Sequence, residues 1–259
     1  MSFVEANGVR FNVVRLGQGE RTVVFLHGLA MDNLSSWYYT VANPVARDSD
    51  VILYDLRGHG MSDRTPSGYT LKDGVADLAA LLDMLGVHHR VYLAGNSYGG
   101  LLALAFAREY PGRVAGLVLV EAHFPSASWG EQVAETLEIA GLWMDEPRVV
   151  TWLKQNDKRH HRRKFAKGCE LLQRTSLVED LRRMHPLGEV DFKEIQAPAL
   201  AVYGEHSDVV DRGYELERWL PNCRLEILRG AQHTILMERT AEVRDHILNW
   251  LHAQPPRGR

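Results

Sequence analysis

Six short β-branched runs recur along the chain with helix-length segments between them: TVVFLHG, DVILYD, RVYLAG, RVAGLVLVE, APALAVYG and CRLEILRG. They are apolar nearly throughout, as strands buried on both faces are, because helices cover both sides of a parallel sheet. The alternation therefore predicts an α/β chain with an open, doubly wound, mostly parallel sheet. One intervening segment, YTLKDGVADLAALLDMLG, carries apolar residues at helical spacing, with Thr70 as N-cap, Asp73 three residues on and Gly86 as the stop. A last helix, TAEVRDHILNWLHA, ends before Pro255-Pro256. Ahead of the first run, SFVEANGVRFNVVRLG is two alternating stretches joined at Asn7-Gly8. That dipeptide favours the positive φ angles of a type I′ turn, so an N-terminal antiparallel hairpin is expected.

The rhythm breaks once. From about His123 to Glu189 no convincing strand appears, only helix-like pieces rich in Trp, Glu, Lys and Arg. A structureless loop of that length is improbable, so residues 123–189 are expected to form a helical lid over a core made of 1–122 and 190–259. With 259 residues and 45% hydrophobic content the chain has enough apolar material for one large domain with an insertion. A net charge of −3 gives no reason to expect nucleic acid or an anionic membrane as partner. The start, MSFVEANGVRF, lacks a basic stretch followed by an apolar one, and no apolar run approaches the roughly 18 residues that span a bilayer. Cys169 and Cys223 are far apart and form no CxxC pattern, which fits reduced thiols in a cytoplasmic protein.

Within VYLAGNSYGGLLALAF, Ser97 falls where an aliphatic strand gives way to a helix. A sharp strand-to-helix turn strains the residue at its apex and requires small neighbours two positions either side, here Gly95 and Gly99. In an open α/β sheet, ligands bind beyond the carboxyl ends of the strands, which is where Ser97 sits. A serine hydroxyl is a poor nucleophile near neutrality and needs a base, which in turn needs an orienting carboxylate. Downstream, Asp208 follows the run ending at Tyr203, and His233 follows the run ending at Leu228. Both loops belong to the same rim as Ser97.

The chain resembles α/β-hydrolase-fold serine hydrolases from about residue 3 to residue 252. His27-Gly28 is similar to the family's oxyanion-loop motif. Asp55-Leu56-Arg57-Gly58-His59-Gly60-Met61-Ser62 is similar to its D-x-R-G-x-G-x-S segment, Gly95 to Gly100 to the nucleophile turn, and Gly230-Ala231-Gln232-His233 to the histidine loop. The resemblance implies Ser97 as nucleophile, His233 as general base and acid, and Asp208 as the orienting acid. The main-chain N–H groups of Leu29 and Tyr98 would form the oxyanion hole. Two departures stand out: Gln232 where many relatives have glycine, and no proline directly after Asp208. The second leaves Glu121, at the end of its strand, as the alternative acid.

His27 reads as a residue that orders the oxyanion loop at the edge of the pocket rather than as a second base. Trp143, Trp152 and Phe124 in the insertion, with Met31 beside the oxyanion loop, are expected to line an apolar substrate pocket. His206, beside Asp208, reads as an exposed loop residue. His88-His89 and His160-His161 are sequence neighbours that do not share a helix face, so no metal site is expected, and no cofactor. The run Lys158-Arg159-His160-His161-Arg162-Arg163-Lys164 reads as a solvated helix face; the sharper alternative is attraction of an anionic substrate group or an acidic acyl-carrier partner. The expected activity is hydrolysis of a small to medium, largely apolar ester or thioester. Two alternatives remain: hydrolytic C–C cleavage of a vinylogous diketone, because Gly-Asn-Ser-x-Gly-Gly also resembles ring-cleavage-product hydrolases, and a non-catalytic small-molecule binding protein on the same scaffold.

Overall fold

Backbone chemistry at Asn7-Gly8 starts the fold as expected. In the computed structural model, which describes residues 2–126, 129–149, 151 and 159–255, these two residues take φ of 47° and 71°. They join β1 (Ser2–Ala6) to β2 (Val9–Leu16) in a two-residue hairpin with Ala6 opposite Val9. The six apolar runs become β3 (Arg21–Leu26), β4 (Ser49–Tyr54), β5 (Val91–Asn96), β6 (Val114–Val120), β7 (Ala199–Gly204) and β8 (Cys223–Leu228). The eight strands form one sheet in the order β1-β2-β4-β3-β5-β6-β7-β8. Pairings β1/β2 and β2/β4 are antiparallel and the remainder parallel. The doubly wound α/β sheet with an N-terminal hairpin is therefore the fold observed.

Strands β3, β4, β6 and β7 are buried at every residue, so each must meet apolar surface on both faces. One face packs on α1 (Leu71–Met84) and α2 (Tyr98–Glu109), burying Leu78, Leu81, Leu101 and Leu104. The other face buries Trp37 and Val41 from a helical stretch before β4, together with Ile247 and Leu251 of the last helix. Helix α1 begins with the expected capping box. Thr70 Oγ1 accepts from the Asp73 N–H at 3.1 Å, and Asp73 accepts from the Thr70 N–H at 3.1 Å. It ends before Gly86, whose φ of 69° a Cβ-bearing residue rarely adopts.

Between β6 and β7 the described residues contain no strand. They form α3 (Trp129–Asp145), α4 (Arg159–Arg174) and α5 (Leu177–Arg182), with a further helical turn at Glu189–Phe192. These helices are tied to one another and to the core by polar contacts. Arg182 of α5 reaches Glu138 of α3 at 2.7 Å, Arg64 meets Glu170 of α4 at 2.5 Å, and Lys167 Nζ donates to the Gly60 carbonyl. Helices α6 (Val210–Trp219) and α7 (Thr240–Ala253) complete the layers. Among the described residues no helix is long and apolar enough to cross a membrane.

Parallel register decides where chemistry can gather. Leu26 pairs with Gly95, Asn96 with Val120, Val120 with Val202, and Gly204 with Leu228, so the carboxyl ends of β3, β5, β6, β7 and β8 form one rim. Residues immediately beyond those ends share that rim although they are far apart in sequence.

Candidate active site

Ser97 follows β5 and precedes α2, at φ 53° and ψ −118°, a conformation disfavoured for any residue with a Cβ. The turn is held from outside. The Ser97 N–H donates to the Val120 carbonyl at 2.9 Å, continuing the β5/β6 ladder past its end. Close packing forces the small neighbours: a Cβ on Gly99 would fall onto the Leu26 carbonyl, and one on Gly95 onto the Gly99 carbonyl. The Ser97 side chain accepts no capping hydrogen bond from its helix.

The loop after β3 is ordered by two buried histidines. His27 Nδ1 bonds the Gly28 carbonyl at 2.6 Å and its Nε2 accepts from the Leu56 N–H at 3.0 Å. His59 Nδ1 bonds the Arg57 carbonyl at 2.8 Å, and its Nε2 accepts from the Ala30 N–H at 2.9 Å. Nε2 must be unprotonated to accept, and burial together with the neighbouring His27 pushes the His59 pKa down to about 3. Asp32 takes the Gly28 N–H at 2.8 Å. The N–H groups either side of Leu29 are thus occupied, whereas among the described residues the Leu29 N–H has no partner. Tyr98 is the first residue of α2, so its N–H has no partner within its own helix. Expected as a pocket residue, His27 is fully buried; it holds the loop and does not line the cleft.

The D-x-R-G-x-G-x-S segment is a brace for this loop. Asp55 accepts from Asn12 Nδ2, the Leu34 N–H and the Met61 N–H at 2.8 to 2.9 Å. Ser62 Oγ donates to the Asp55 carbonyl at 2.6 Å and accepts from the Asn12 N–H at 2.9 Å. Arg57 grips Asp77 through Nη2 at 2.6 Å and Nε at 2.9 Å.

His233 lies in the loop after β8 and is held by a carboxylate from the turn after β6. Its Nδ1 is 3.1 Å from Glu121 Oε2. An ionised carboxylate only accepts, so Nδ1 carries the proton and Nε2 keeps its lone pair. Glu121 is wholly buried, at φ 49°, and also accepts from the Gly204 N–H at 2.6 Å and from Ser207 Oγ. Asp208, the acid expected from the sequence, lies 3.6 Å from Nδ1 with its side chain 77% exposed. The alternative named at the sequence level, Glu121, therefore makes the hydrogen bond, because the turn after β6 aims it at the imidazole. Burial works against the charged form of His233, but the bond to Glu121 and the charges of Glu121 and Asp208 outweigh it and raise its pKa.

His123, two residues past Glu121, is a neighbour that sequence reasoning missed. Its ring packs edge-on to that of His233 with centroids 5.0 Å apart, and its main-chain N–H donates to the Ser97 carbonyl at 3.4 Å. Trp129 of α3 donates from Nε1 to His123 Nδ1 at 3.3 Å. Burial and the adjacent His233 lower the His123 pKa to about 4, so it is neutral near pH 7. The only sequence signal for it was position, directly beyond the end of β6.

A cleft of about 660 Å³ opens at this rim, lined by Met31, Met61, Asn96, Lys167, His233 and Met237 among others. Met31 lines it as expected. Phe124 does not: it is fully buried between Phe192 and Trp219, with ring centroids at 5.3 and 5.6 Å. Its apolar ring completes the core beneath the helical segment instead of facing substrate. Trp152 lies outside the described residues, as does the side chain of Trp143. Of the basic run, Lys158 lies outside them too, with the side chains of 159–164. Among the described residues no group of three or more His, Cys, Asp or Glu is placed to hold a metal ion.

Residues 21–149 match the family model described as alpha/beta hydrolase fold. The chain is 30% identical over 257 residues to a protein of Bacillus subtilis (strain 168) provisionally named 2-succinyl-6-hydroxy-2,4-cyclohexadiene-1-carboxylate synthase, spanning 90% of this chain and 92% of that one. It is 37% identical over 158 residues to the 2-hydroxy-6-oxo-2,4-heptadienoate hydrolase of Pseudomonas putida, spanning 60% of this chain and 54% of that one. Among solved structures, an esterase from Rhodococcus sp. ECU1013 superposes with a TM-score of 0.77 at 24% identity, covering 98% of this chain and 100% of the other, which is a likeness of fold. On the sheet order, the turn at Ser97 and these similarities, the chain belongs to the α/β-hydrolase family.

Proposed function

We propose that the protein is a serine hydrolase that cleaves a small to medium, largely apolar ester or thioester through an acyl-enzyme. The observation that carries this reading is the pair of loops at one rim: Ser97 at a strained apex, and His233 with Nδ1 tied to a buried carboxylate. In this reading Ser97 Oγ attacks the substrate carbonyl carbon and its proton passes to His233 Nε2. The developing oxyanion takes the free N–H groups of Leu29 and Tyr98, each worth about 3 to 4 kcal/mol of barrier. His233 then gives its proton to the leaving alkoxide or thiolate, and water activated by the same imidazole cleaves the acyl-enzyme. Glu121 is the carboxylate that fixes the tautomer and stabilises the imidazolium, with Asp208 an outer, solvated partner. His123 is a positioning residue that keeps the imidazole plane from turning.

The similarity to the Pseudomonas putida hydrolase, with Gly-Asn-Ser-x-Gly-Gly at residues 95 to 100, supports a second reading, hydrolytic C–C cleavage of a vinylogous diketone. The test is turnover of 4-nitrophenyl acetate, butyrate and hexanoate, the matching thioesters, and a 2-hydroxy-6-oxo-dienoate. Turnover of esters or thioesters without the dienoate supports the first reading. Dienoate cleavage alone replaces it with the second, and no turnover of any of them leaves a binding protein.

A further inference from the structure

Behind the proposed oxyanion donors lies a second, smaller space of about 30 Å³, lined by Leu29, Tyr54, Arg57, Asp77, Tyr98 and Leu177 among others. It has room for a water molecule or for the last few atoms of an acyl chain. Its accessible lining is mainly apolar, but the polar side chains of Tyr54, Arg57, Asp77 and Tyr98 stand around it. Tyr54 is 1% exposed, and its Oη has no hydrogen-bond partner among the described residues. An orphaned buried hydroxyl is costly, and native structures rarely leave one without a partner. Burial, with Asp77 and Tyr98 nearby, holds the Tyr54 phenol protonated far above the usual range, and Tyr98 is raised by burial and by Asp73, Asp77 and Asp180. Tyr54 Oη is therefore a donor in search of an acceptor. Arg57 cannot serve as a free cation, because Asp77 holds it through two hydrogen bonds. With Asp73 and Asp180 also acting on the site, a second anion is disfavoured there.

We propose that this space is a polar end-subsite in which Tyr54 Oη donates to a neutral carbonyl oxygen carried on the acyl chain of the substrate. Substrates are then oxoacyl rather than plain alkanoyl compounds. The placement of the chain between Leu29 and Tyr98 rests on the acyl-transfer reading; the recognition of a carbonyl by Tyr54 does not.

Binding to the full-length Ser97→Ala protein, measured by calorimetry, separates the two. The probes are methyl 4-oxopentanoate and methyl 5-oxohexanoate against methyl pentanoate and methyl hexanoate. One of the oxo esters is expected to bind about tenfold more tightly than its plain counterpart, a difference that falls to about twofold or less in Ser97→Ala/Tyr54→Phe. Equal binding of oxo and plain esters would overturn the proposal and leave the space as a site for water. So would a preference that survives removal of the Tyr54 hydroxyl. The double variant loses only a hydroxyl without a protein partner, and its melting temperature checks that it folds; if it does not, Ser97→Ala with Tyr54→Leu serves in its place, and equal binding of oxo and plain esters to Ser97→Ala overturns the proposal in either case. Failure of the wild-type protein to hydrolyse the plain esters would remove acyl transfer without altering the binding result.

Discussion

Replacing Glu121 by Gln is expected to disable the site far more than replacing Asp208 by Asn. The amide is isosteric, and its oxygen must still accept from the Gly204 N–H, which Glu121 Oε1 accepts at 2.6 Å. That constraint turns the NH2 group toward Ser207 and His233, where Oε2 now stands 3.1 Å from Nδ1. A donor facing a donor cannot persist, so the imidazole shifts its proton to Nε2 and loses the lone pair that accepts the serine proton. Where the wrong tautomer is enforced in such triads, kcat falls by about 10⁴-fold, and roughly 10³- to 10⁴-fold is expected here. Asp208 is different because its side chain is 77% exposed. At 3.6 Å in a water-like dielectric its attraction for the imidazolium is about 1 kcal/mol. Asp208→Asn should therefore lower kcat by only about fivefold. The assay is initial-rate hydrolysis of 4-nitrophenyl butyrate, with melting curves to establish that both variants are folded. A collapse of kcat in Asp208→Asn with Glu121→Gln near wild type would refute the reasoning and return the role to the carboxylate beyond β7.

The acid limb of kcat/KM should lie at a higher pH than an unperturbed imidazole gives, because the His233 pKa is raised and only the neutral ring accepts the proton. Activity is then lost as pH falls through that value; in Asp208→Asn the limb should move to lower pH, and a limb that stays put would contradict the charge contribution. His123→Ala should lower kcat about tenfold with little change in KM, through a less well held imidazole, whereas His123→Phe should restore most of it by keeping a ring edge-on to His233. Gly99→Ala should give a protein destabilised by more than about 2 kcal/mol in denaturant unfolding, because the added Cβ meets the Leu26 carbonyl. Asp77→Ala leaves the partly buried Arg57 without its carboxylate and should cost about 2 to 3 kcal/mol, read by the same unfolding experiment.

Much of the architecture was legible because its cause is local. The Asn7-Gly8 turn, the Thr70 capping box and the fully apolar strands each follow from a few neighbouring side chains. Ser97 and His233 were legible for a related reason: each follows a readable strand, and parallel register then brings the strand ends together. The choice between Glu121 and Asp208 was not. Both stand beyond neighbouring strands, and the difference lies in a positive φ at Glu121 and in donors from Gly204 and Ser207 that arrive from β7 and its loop. His123 escaped notice because an edge-on ring contact across 110 residues of sequence leaves no periodic or motif signature. In the sequence, Phe124 points to the pocket only as an aromatic residue of the insertion, while burial between Phe192 and Trp219 depends on how the segment after β6 descends to the core.

Most direct of all is intact-protein mass spectrometry after brief exposure to a fluorophosphonate, followed by peptide mapping. The account predicts a single adduct on Ser97, absent in Ser97→Ala and slowed at least a hundredfold in His233→Ala. An adduct elsewhere, or a Ser97→Ala protein that still turns over ester at the wild-type rate, would contradict it.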